Sequence, residues 1–436
     1  MRVALALAVV AASALAAGAD VLDAKALGAA ADGQTDDTAA LQKALDRAGE
    51  AGGTVYLPSG RYLVAGSLTV PTGVCLQGAW RMPHHAAWDK CTTLLATGGA
   101  GEEDGPALIE LSQSSAVRGI TVYYPEQDPH NIRPYPWAIR GRGMHCTVEN
   151  VTLANAYQGI AMGHEWNELH VIRNVFGCVL RRGVLVDTCT DIGRIENVHF
   201  NQHYWLRAGY PGGPDHGQDY LAYRRFMQEN LECFIFGKTD WESVKDTFMY
   251  CAKIGYKFTD FGRGAMNGQL MGIGADCALY GMWVESIQHM GLVVTNGQFA
   301  AFRHPEIKAD DDPLPAAVVT ADTCAGSVRF VNCTFWGGNA VANLSGSPDS
   351  HVGFTDCYVR DWIAYNDVPA VYSDGPRLSV RGCTFVGRGI EVYVGSATPL
   401  GFITENTSED EFNAIVEEPA RVYVDHNISL EQRPVE

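Results

Sequence analysis

Five acidic residues in the middle of the chain have the type and the neighbours that cleavage of a glycosidic bond requires. Hydrolysis uses two carboxyl groups, about 5–5.5 Å apart for retention of configuration and about 6.5–9.5 Å apart for inversion. Asp240 and Glu242 flank Trp241, whose ring suits stacking on a sugar. The predicted acid/base residues are Asp187, Asp191 and Asp240, with Glu242 and Glu285 in reserve. Taken singly, each carboxylate could equally be a solvated turn residue.

Aromatic and histidine side chains near these acids are the predicted sugar-binding groups: Trp241, Trp205, Tyr204, His164 and His199. The segment 164–170 holds two histidines and two glutamates, which raises the question of a metal site. His164 and His170 are six residues apart, whereas the helical zinc motif H-E-x-x-H needs a spacing of four. The sequence therefore predicts no metal ligands and no cofactor, with calcium a possibility only if the reaction is an elimination.

The elements that must position these residues are short strands that repeat with a constant interval. Asn150, Asn174 and Asn197 each precede alternating apolar residues, at intervals of 24 and 23 residues. The pattern returns near Cys333, Cys357 and Cys383, again at 24 and 26 residues. Coils of about 20–30 residues without intervening helices are typical of a solenoid of parallel strands. The sequence thus predicts an all-β, right-handed parallel β-helix, with the asparagines stacked at one corner and the three cysteines stacked inside.

A helix opens the chain before the strands begin. Leu41, Ala44, Leu45 and Ala48 recur at helical spacing, and Gly52–Gly53 ends the helix. An apolar helix face beside the first coil would cover the open end of the strand stack. We therefore predict an amino-terminal capping α-helix.

Two segments depart from the repeat: the Pro-rich aromatic residues 123–137, and a long insertion at 201–240 with a predicted helix near Asp219–Leu231. Such excursions are frequent sites of function. Residues 20–436 are predicted to form one β-helix domain that contains this insertion, and residues 20–78 to form its cap and first coils.

Residues 1–19 have the composition of a secretory signal: Arg2, an apolar run, and Ala17-Gly18-Ala19 before the mature chain. The predicted protein is thus secreted, to the periplasm or the cell exterior. A formal charge of −18 argues against nucleic acid and membrane partners. Any polyanionic substrate would need a local Lys/Arg cluster or bound cations. Among the twelve cysteines, Cys75–Cys91 and, less strongly, Cys178–Cys189 are candidate disulfides.

The opening of the chain resembles the pectate-lyase-like superfamily, in particular the branch of rhamnogalacturonases, related epimerases and family 28-like glycoside hydrolases. The matching residues are Gly28, Asp32–Gly33, Thr35–Thr38, Ala40–Leu41, Ala44–Leu45, Gly53–Pro58, Gly60, Tyr62 and Val74–Gly78. The resemblance implies a secreted carbohydrate-active protein that holds its substrate in a groove outside the helix. It transfers no catalytic residue to this sequence.

These observations predict a monomeric secreted enzyme that cleaves glycosidic bonds in a pectin-like or related polysaccharide, by hydrolysis with a carboxylate pair. Two alternatives stay open: a polysaccharide lyase that acts by β-elimination, and a non-catalytic glycan-binding or structural β-helix.

Overall fold

The computed structural model describes residues 21–80, 90–307, 314–338, 340–362 and 368–430. The predicted signal segment 1–19 lies outside these residues. No helix in the described residues is long and apolar enough to cross a membrane. The helices are α1 (Thr38–Gly49), α2 (His203–Leu206) and α3 (Gln218–Asn230), with a short 3-10 helix at Pro305–Ile307.

The strands of the described residues form one continuous 35-stranded parallel sheet that winds into a solenoid, so the predicted parallel β-helix is confirmed. Its register sorts the strands into three faces, which we call A, B and C. Five long strands run through one or more corners and contribute to several faces: Thr147–Glu168, Val171–Val186, Arg194–Asn201, Thr239–Phe258 and Gly274–Val284.

Face A consists of Leu68–Val70, Ile109–Leu111, Trp137–Met144, 158–162, 182–186, Glu232–Phe236, 254–258, 280–284, Ala316–Thr320, Ala340–Leu344, Val371–Ser373, Val392–Val394 and Ala414–Val416. Face B consists of Val21–Asp23, Gly53–Leu57, Val74–Gly78, Ala116–Arg118, 147–149, 171–173, 194–196, 243–245, Met266–Met271, Ile287–Thr295, Ser327–Val331, His351–Thr355, Arg377–Arg381, Gly401–Thr404 and Val422–Asp425.

Face C consists of Asp32–Asp36, Gly60–Val64, Thr92–Ala96, Thr121–Tyr123, 151–153, 175–177, 198–201, 247–250, 274–276, Gln298–Ala301, Thr334–Trp336, Tyr358–Arg360, Thr384–Val386, Thr407–Ser408 and Ile428–Ser429. Side chains alternate between outside and inside along each strand, and the inward ones form a single core through the solenoid.

The predicted cap is confirmed, because α1 buries Leu41, Ala44, Leu45 and Ala48 against the first coils. Asp37 precedes α1 without capping it. Its carboxylate instead accepts hydrogen bonds from the amides of Ala30 and Ala31, at 2.6 and 3.0 Å, and holds the preceding turn.

The corner asparagines form the predicted ladder. Asn150, Asn174 and Asn197 have φ values of 57°, 54° and 51°, in the left-handed region that asparagine tolerates. The Asn174 amide donates to the side-chain oxygen of Asn150 at 3.0 Å, and Asn197 donates to Asn174 at 2.9 Å. The ladder therefore fixes successive coils at the corner between faces B and C.

Every cysteine is a free thiol, so neither candidate disulfide forms. Cys75 lies on face B, whereas Cys91 precedes a strand of face C. Cys333, Cys357 and Cys383 precede strands that are in register, and they stack as a buried column of thiols, as predicted.

The insertion carries α2 and α3 and covers the corner between faces C and A. Met227 and Gln228 of α3 reach the sulfur of Cys178 and the carbonyl oxygen of Cys277, at 4.0 and 2.8 Å. Strand structure resumes at Glu232, earlier than the boundary of 240 inferred from sequence. The loop after Tyr123 packs on the insertion, where Tyr123 stacks on Tyr210 with ring centres 4.1 Å apart.

Candidate active site at the end of face A

The end of face A brings one residue of each successive coil to an equivalent position. The aligned strand ends Met162, Val186, Phe236, Phe258 and Val284 pair in register. The residues that follow them are Gly163, Asp187, Gly237, Thr259 and Glu285. The β-helix thus stacks Asp187 between two glycines, with Glu285 two coils beyond the second glycine.

The two glycines make room for the Asp187 carboxylate. A Cβ atom on Gly237 would lie 2.4 Å from Oδ1 of Asp187, and one on Gly163 would lie 2.5 Å from its carbonyl oxygen. Gly163 also has a φ of 142°, which other residues rarely adopt. The glycines therefore permit a carboxylate only 1% exposed to sit at the rim of the solenoid.

Asp187 is held as an ionised hydrogen-bond acceptor. Its carboxylate accepts from the amide of Lys238 at 2.9 Å and from Oγ1 of Thr188 at 3.1 Å, and its Oδ2 lies 3.4 Å from Nδ1 of His164. Burial alone would raise the pKa of Asp187, but the hydrogen bonds from His164, Lys238 and Thr188 hold it below its ordinary value. Because the ionised carboxylate only accepts, it orients His164 with the proton on Nδ1.

The arrangement leaves the outer nitrogen of His164 available. The side chain of His164 is 56% exposed and meets the edge of the Phe261 ring, with ring centres 5.3 Å apart. Arg263 donates to the backbone carbonyl of His164 and to Oγ1 of Thr188, which fixes the turn. With Nδ1 carrying the proton, Nε2 has a free lone pair and can act as a general base.

His164 lines a surface cavity of about 450 Å³ on face A. The floor is apolar and is formed by Trp137, Leu185 and Ile235. The walls carry four cations and three carboxylates, Arg140, Arg181, Arg182, Lys257, Glu103, Asp104 and Glu232. Four cationic side chains converge at this cavity in a chain with a formal charge of −18, so the cavity offers guanidinium and ammonium donors to an anionic group.

The cations are held in place by neighbouring acids. Arg140 pairs with Glu110 at 2.5 Å, and Arg182 pairs with Glu103 at 2.8 Å. Arg140, Arg182 and Lys257 stay only 20–28% exposed at the side chain. The cavity therefore presents pre-oriented donors in a partly desolvated setting, where charge interactions exceed those at an open surface.

Glu285 reaches the same cavity through Lys257. The ammonium of Lys257 lies 3.1 Å from Glu232 and 3.7 Å from Glu285. Glu285 also accepts from Nε1 of Trp283 at 3.1 Å and from Oγ1 of Thr259 at 2.5 Å. A lysine shared by two carboxylates thus closes one end of the cavity.

Asp240 lies beside Asp187, and Lys238 connects the two. The amide of Lys238 contacts Asp187, while its ammonium lies 2.6 Å from Oδ2 of Asp240. The other oxygen of Asp240 accepts from Asn267 and Gln288 at 3.0 and 2.7 Å. Asp240 is thus a fully hydrogen-bonded carboxylate at the turn after the cavity.

This chain is similar to known proteins in the sequence of its opening residues and in its overall fold. The family model described as rhamnogalacturonase A/epimerase, pectate lyase-like, matches residues 21–101. The amino-terminal fragment of bacteriophage phi29 gene product 12 superposes with a TM-score of 0.63 over 92% of this chain and 72% of its own, at 12% sequence identity, which shows the fold alone. This chain is a parallel β-helix whose opening residues are similar to the pectate-lyase-like family.

Each of two curated relatives matches a small part of this chain. Mannuronan C5-epimerase AlgE5 of Azotobacter vinelandii is 41% identical over 91 residues, 18% of this chain and 9% of the relative. Alginate lyase 7 of the same organism is 49% identical over 63 residues, 13% of this chain and 7% of the relative. The chain thus spans less than a tenth of the length of these two relatives.

Two of the predicted site residues belong to the interior of the β-helix. Glu242 is 0% exposed and pairs with His170 at 3.1 Å, and Trp205 is 1% exposed against Tyr223. Because neither side chain reaches solvent, Glu242 cannot meet a glycosidic oxygen and Trp205 cannot stack on a sugar. The predictions that Glu242 and Trp205 contact the sugar are therefore wrong.

The other predicted residues lie in three places. His164, Asp187, Asp240 and Glu285 come together at the end of face A. Trp241, 70% exposed, and the exposed Asp191 follow on the turn beyond it. Tyr204 and His199 lie outside face C, where the Tyr204 hydroxyl is 3.3 Å from Nδ1 of His199, and they take no part in the cavity.

The cations of the cavity were missed by sequence reasoning. Arg140, Arg182 and Lys257 are far apart in sequence. The two arginines precede the insertion, and Lys257 follows it. The register could have found two of them, because Arg140 and Lys257 occupy equivalent positions on face A.

Proposed function

We propose that this protein is a carbohydrate-active enzyme that removes the C5 proton of a uronate residue in an anionic polysaccharide. The observation that carries the proposal is His164, oriented by the buried Asp187 at a cation-lined cavity. The C5 proton lies next to the sugar carboxylate, so its removal builds negative charge on that group. Arg140, Arg182 and Lys257 would neutralise the charge while His164 takes the proton.

Two reactions share this first step. In β-elimination the electron pair left at C5 forms a C4–C5 double bond and the glycosidic oxygen leaves from C4. In epimerisation a proton returns to C5 from the opposite side and no bond is cleaved. Two relatives that match a small part of this chain are named as enzymes of these two classes, a mannuronan C5-epimerase and an alginate lyase. We therefore favour an acidic polysaccharide over a neutral one as the substrate.

Hydrolysis, the reaction predicted from sequence, is the second candidate, and Lys257 supports it. This lysine lines the cavity and lies 3.1 Å from Glu232 and 3.7 Å from Glu285, so it holds two carboxylates on either side of its ammonium group. Two carboxyl groups facing one groove are the minimum for a glycoside hydrolase. In this case Glu285 would belong to the acid/base pair.

The test is an incubation of the mature protein with polymannuronate, polyguluronate, polygalacturonate and a neutral glucan, in heavy water. Absorbance of unsaturated uronates reports elimination, deuterium at C5 reports epimerisation, and reducing ends alone report hydrolysis. Parallel assays with calcium and with a chelator check the expectation that no cofactor is needed. Secretion and a monomeric state remain predictions, to be checked by fractionation and by light scattering.

The variant His164→Gln should lower kcat on the uronate polymer by about 10²–10⁴-fold, the usual contribution of a general base. His289→Gln is the matched control, because His289 is exposed and is not among the residues that line the cavity. Full turnover by His164→Gln would contradict the proposal. Reducing ends from the neutral glucan, lost in Glu285→Gln, would establish the hydrolase instead, and binding without turnover would indicate a non-catalytic β-helix.

A further inference from the structure

A chain of buried polar groups lies inside the β-helix directly beneath Asp187. His170 and Glu242 are both 0% exposed, and Nε2 of His170 lies 3.1 Å from Oε1 of Glu242. The second carboxylate oxygen accepts from Oγ1 of Thr239 at 2.7 Å. Buried charges of this kind are costly unless they are paired and fully hydrogen-bonded, so their presence in the core calls for a reason.

Asn167 connects this pair to the site. Its amide nitrogen donates to the backbone carbonyl oxygen of Asp187 at 2.8 Å and to that of Glu165 at 3.3 Å. These two carbonyl acceptors fix the amide orientation, so its oxygen faces Nδ1 of His170 at 3.1 Å. The positions of His170 and of the Asp187 backbone are therefore coupled through one side chain.

His170 must be an imidazolium to satisfy both neighbours. Its two ring nitrogens face two acceptors, the Asn167 oxygen and the Glu242 carboxylate, so both nitrogens carry protons. Burial alone would lower the pKa of His170, but the Glu242 carboxylate and, after it, the contact with Cys189 raise it to about 10. The ring is thus charged at neutral pH and bridges the core to Asn167.

The space around the pair is closed. A Cβ atom on Gly193 would lie 2.1 Å from Cε1 of His170 and 2.3 Å from Oε2 of Glu242. Cys189 lies on the opposite edge of the ring, with its sulfur 3.8 Å from Nδ1. The Cys189 sulfur faces Nδ1 of His170 and the Glu242 carboxylate faces Nε2, and each of these nitrogens has an oxygen acceptor, Asn167 or Glu242. The trio is therefore organised for hydrogen bonding rather than around a metal ion.

We propose that His170 and Glu242 are positioning residues, which hold Asn167 and through it the Asp187 backbone that aims the carboxylate at His164. This inference rests on the proposed function for its catalytic consequence. A carboxylate displaced by about 1 Å no longer fixes the imidazole, and misplacement of that size costs catalysis about 10²-fold. The buried pair would thereby set the tautomer of His164 without contacting it.

The first measurement is the tautomer of His164, read from its ring nitrogen shifts in the full chain labelled with ¹⁵N-histidine and assigned with His164→Gln. In the native protein Nδ1 should carry the proton. In His170→Leu, the oxygen of Asn167 loses the ring that donates to it, so Asn167 is no longer fixed and His164 should show a mixture of tautomers. On a uronate polymer this variant should have a kcat about 10- to 100-fold lower with little change in KM.

A second variant separates positioning from folding. His170→Leu with Glu242→Met removes both charges together, a change that is often neutral or stabilising for buried ion pairs. A purely structural pair predicts that this double variant keeps both the native tautomer and the native kcat, and that result would overturn the proposal. The expected result is a stable fold with a mixed tautomer and a reduced kcat.

The two proposals fail separately. If the native protein turns over no uronate polymer, the proposed function is wrong, yet the tautomer still decides the present inference because it needs no substrate. If turnover is found and the Nδ1–H tautomer persists in His170→Leu and in the double variant, the positioning role is wrong and the proposed function stands.

Discussion

At the scale of single residues, the site depends on two glycines as much as on its acid. In Gly237→Ala the added Cβ would lie 2.4 Å from Oδ1 of Asp187, so the carboxylate must move away from His164. We expect kcat to fall about 10²-fold with little loss of stability, measured by steady-state kinetics and urea unfolding. Gly401→Ala, whose Cβ would meet Val422 carbons at 3.1 Å, is the control. Unchanged kcat in Gly237→Ala would show that the Asp187 position is unimportant.

Sequence reasoning at this scale proposed Asp187 and Asp240, which lie at the end of face A, but misplaced Glu242, and the backbone explains the error. Strict alternation puts Asp240 and Glu242 on the same face of a strand. Trp241 between them has a φ of 59°, and the strand register shifts between Thr239 and Glu242. The alternation restarts there, so Asp240 faces outward and Glu242 inward. A left-handed tryptophan has no signature in sequence.

At the scale of elements, the asparagine ladder provides the sharpest stability test. Asn174→Gly keeps the left-handed backbone but loses the hydrogen bonds to Asn150 and Asn197. This loss should lower the free energy of unfolding by about 1 kcal/mol. Asn174→Ala adds the strain of a Cβ in that conformation, about 1 kcal/mol more. Urea unfolding of both variants checks the difference. Gly382 occupies the same kind of corner with a φ of 63°, which shows that glycine is accepted there. Equal losses for alanine and glycine would mean that the left-handed conformation carries no strain.

The coil elements were predictable because their period is local, whereas the insertion was not. A repeat of corner residue and alternating apolar residues predicts strands, stacking and the cysteine column directly from sequence. Residues 203–230 have no repeat to align them. Nothing local distinguishes the buried Trp205 from Tyr204, which is only partly buried against the outside of face C. Their burial depends on where α3 lies on the solenoid, which is a tertiary property.

At the scale of the whole molecule, the composition concealed the chemistry of the site. With a formal charge of −18, a polyanionic substrate needs a local cluster of cations or bound cations, and the sequence shows no such cluster. The winding of the chain gathers Arg140, Arg181, Arg182 and Lys257 around one cavity. Net charge describes the far field of a protein, whereas a binding site depends on the charges within several ångströms. A solenoid makes the two differ, because it stacks residues that are a full coil or more apart in sequence.

The buried imidazolium should also leave a mark on the pH dependence of global stability. An unfolded histidine has a pKa near 6.5, whereas that of His170 is raised to about 10. Between these values the folded state holds a proton that the unfolded state lacks. The stabilisation is complete below pH 6.5 and declines as the pH rises toward 10. From pH 7 to 8.5 this group alone should lower the free energy of unfolding by about 1.4 kcal/mol per pH unit.

Glu242→Gln isolates this contribution, because its His170 lacks the carboxylate that holds the proton. Buried thiols such as Cys178 and Cys233, whose pKa values burial raises, also stabilise the fold only until unfolded thiols ionise, near pH 8.5 and above. The partly buried His199 has a pKa lowered by desolvation and acts at more acidic pH. The free energy of unfolding, measured with urea between pH 7 and 8.5, should therefore decline with pH in the native protein and stay nearly constant in the variant. Parallel curves would mean that His170 is neutral when folded, and the imidazolium bridge to Asn167 would then be absent.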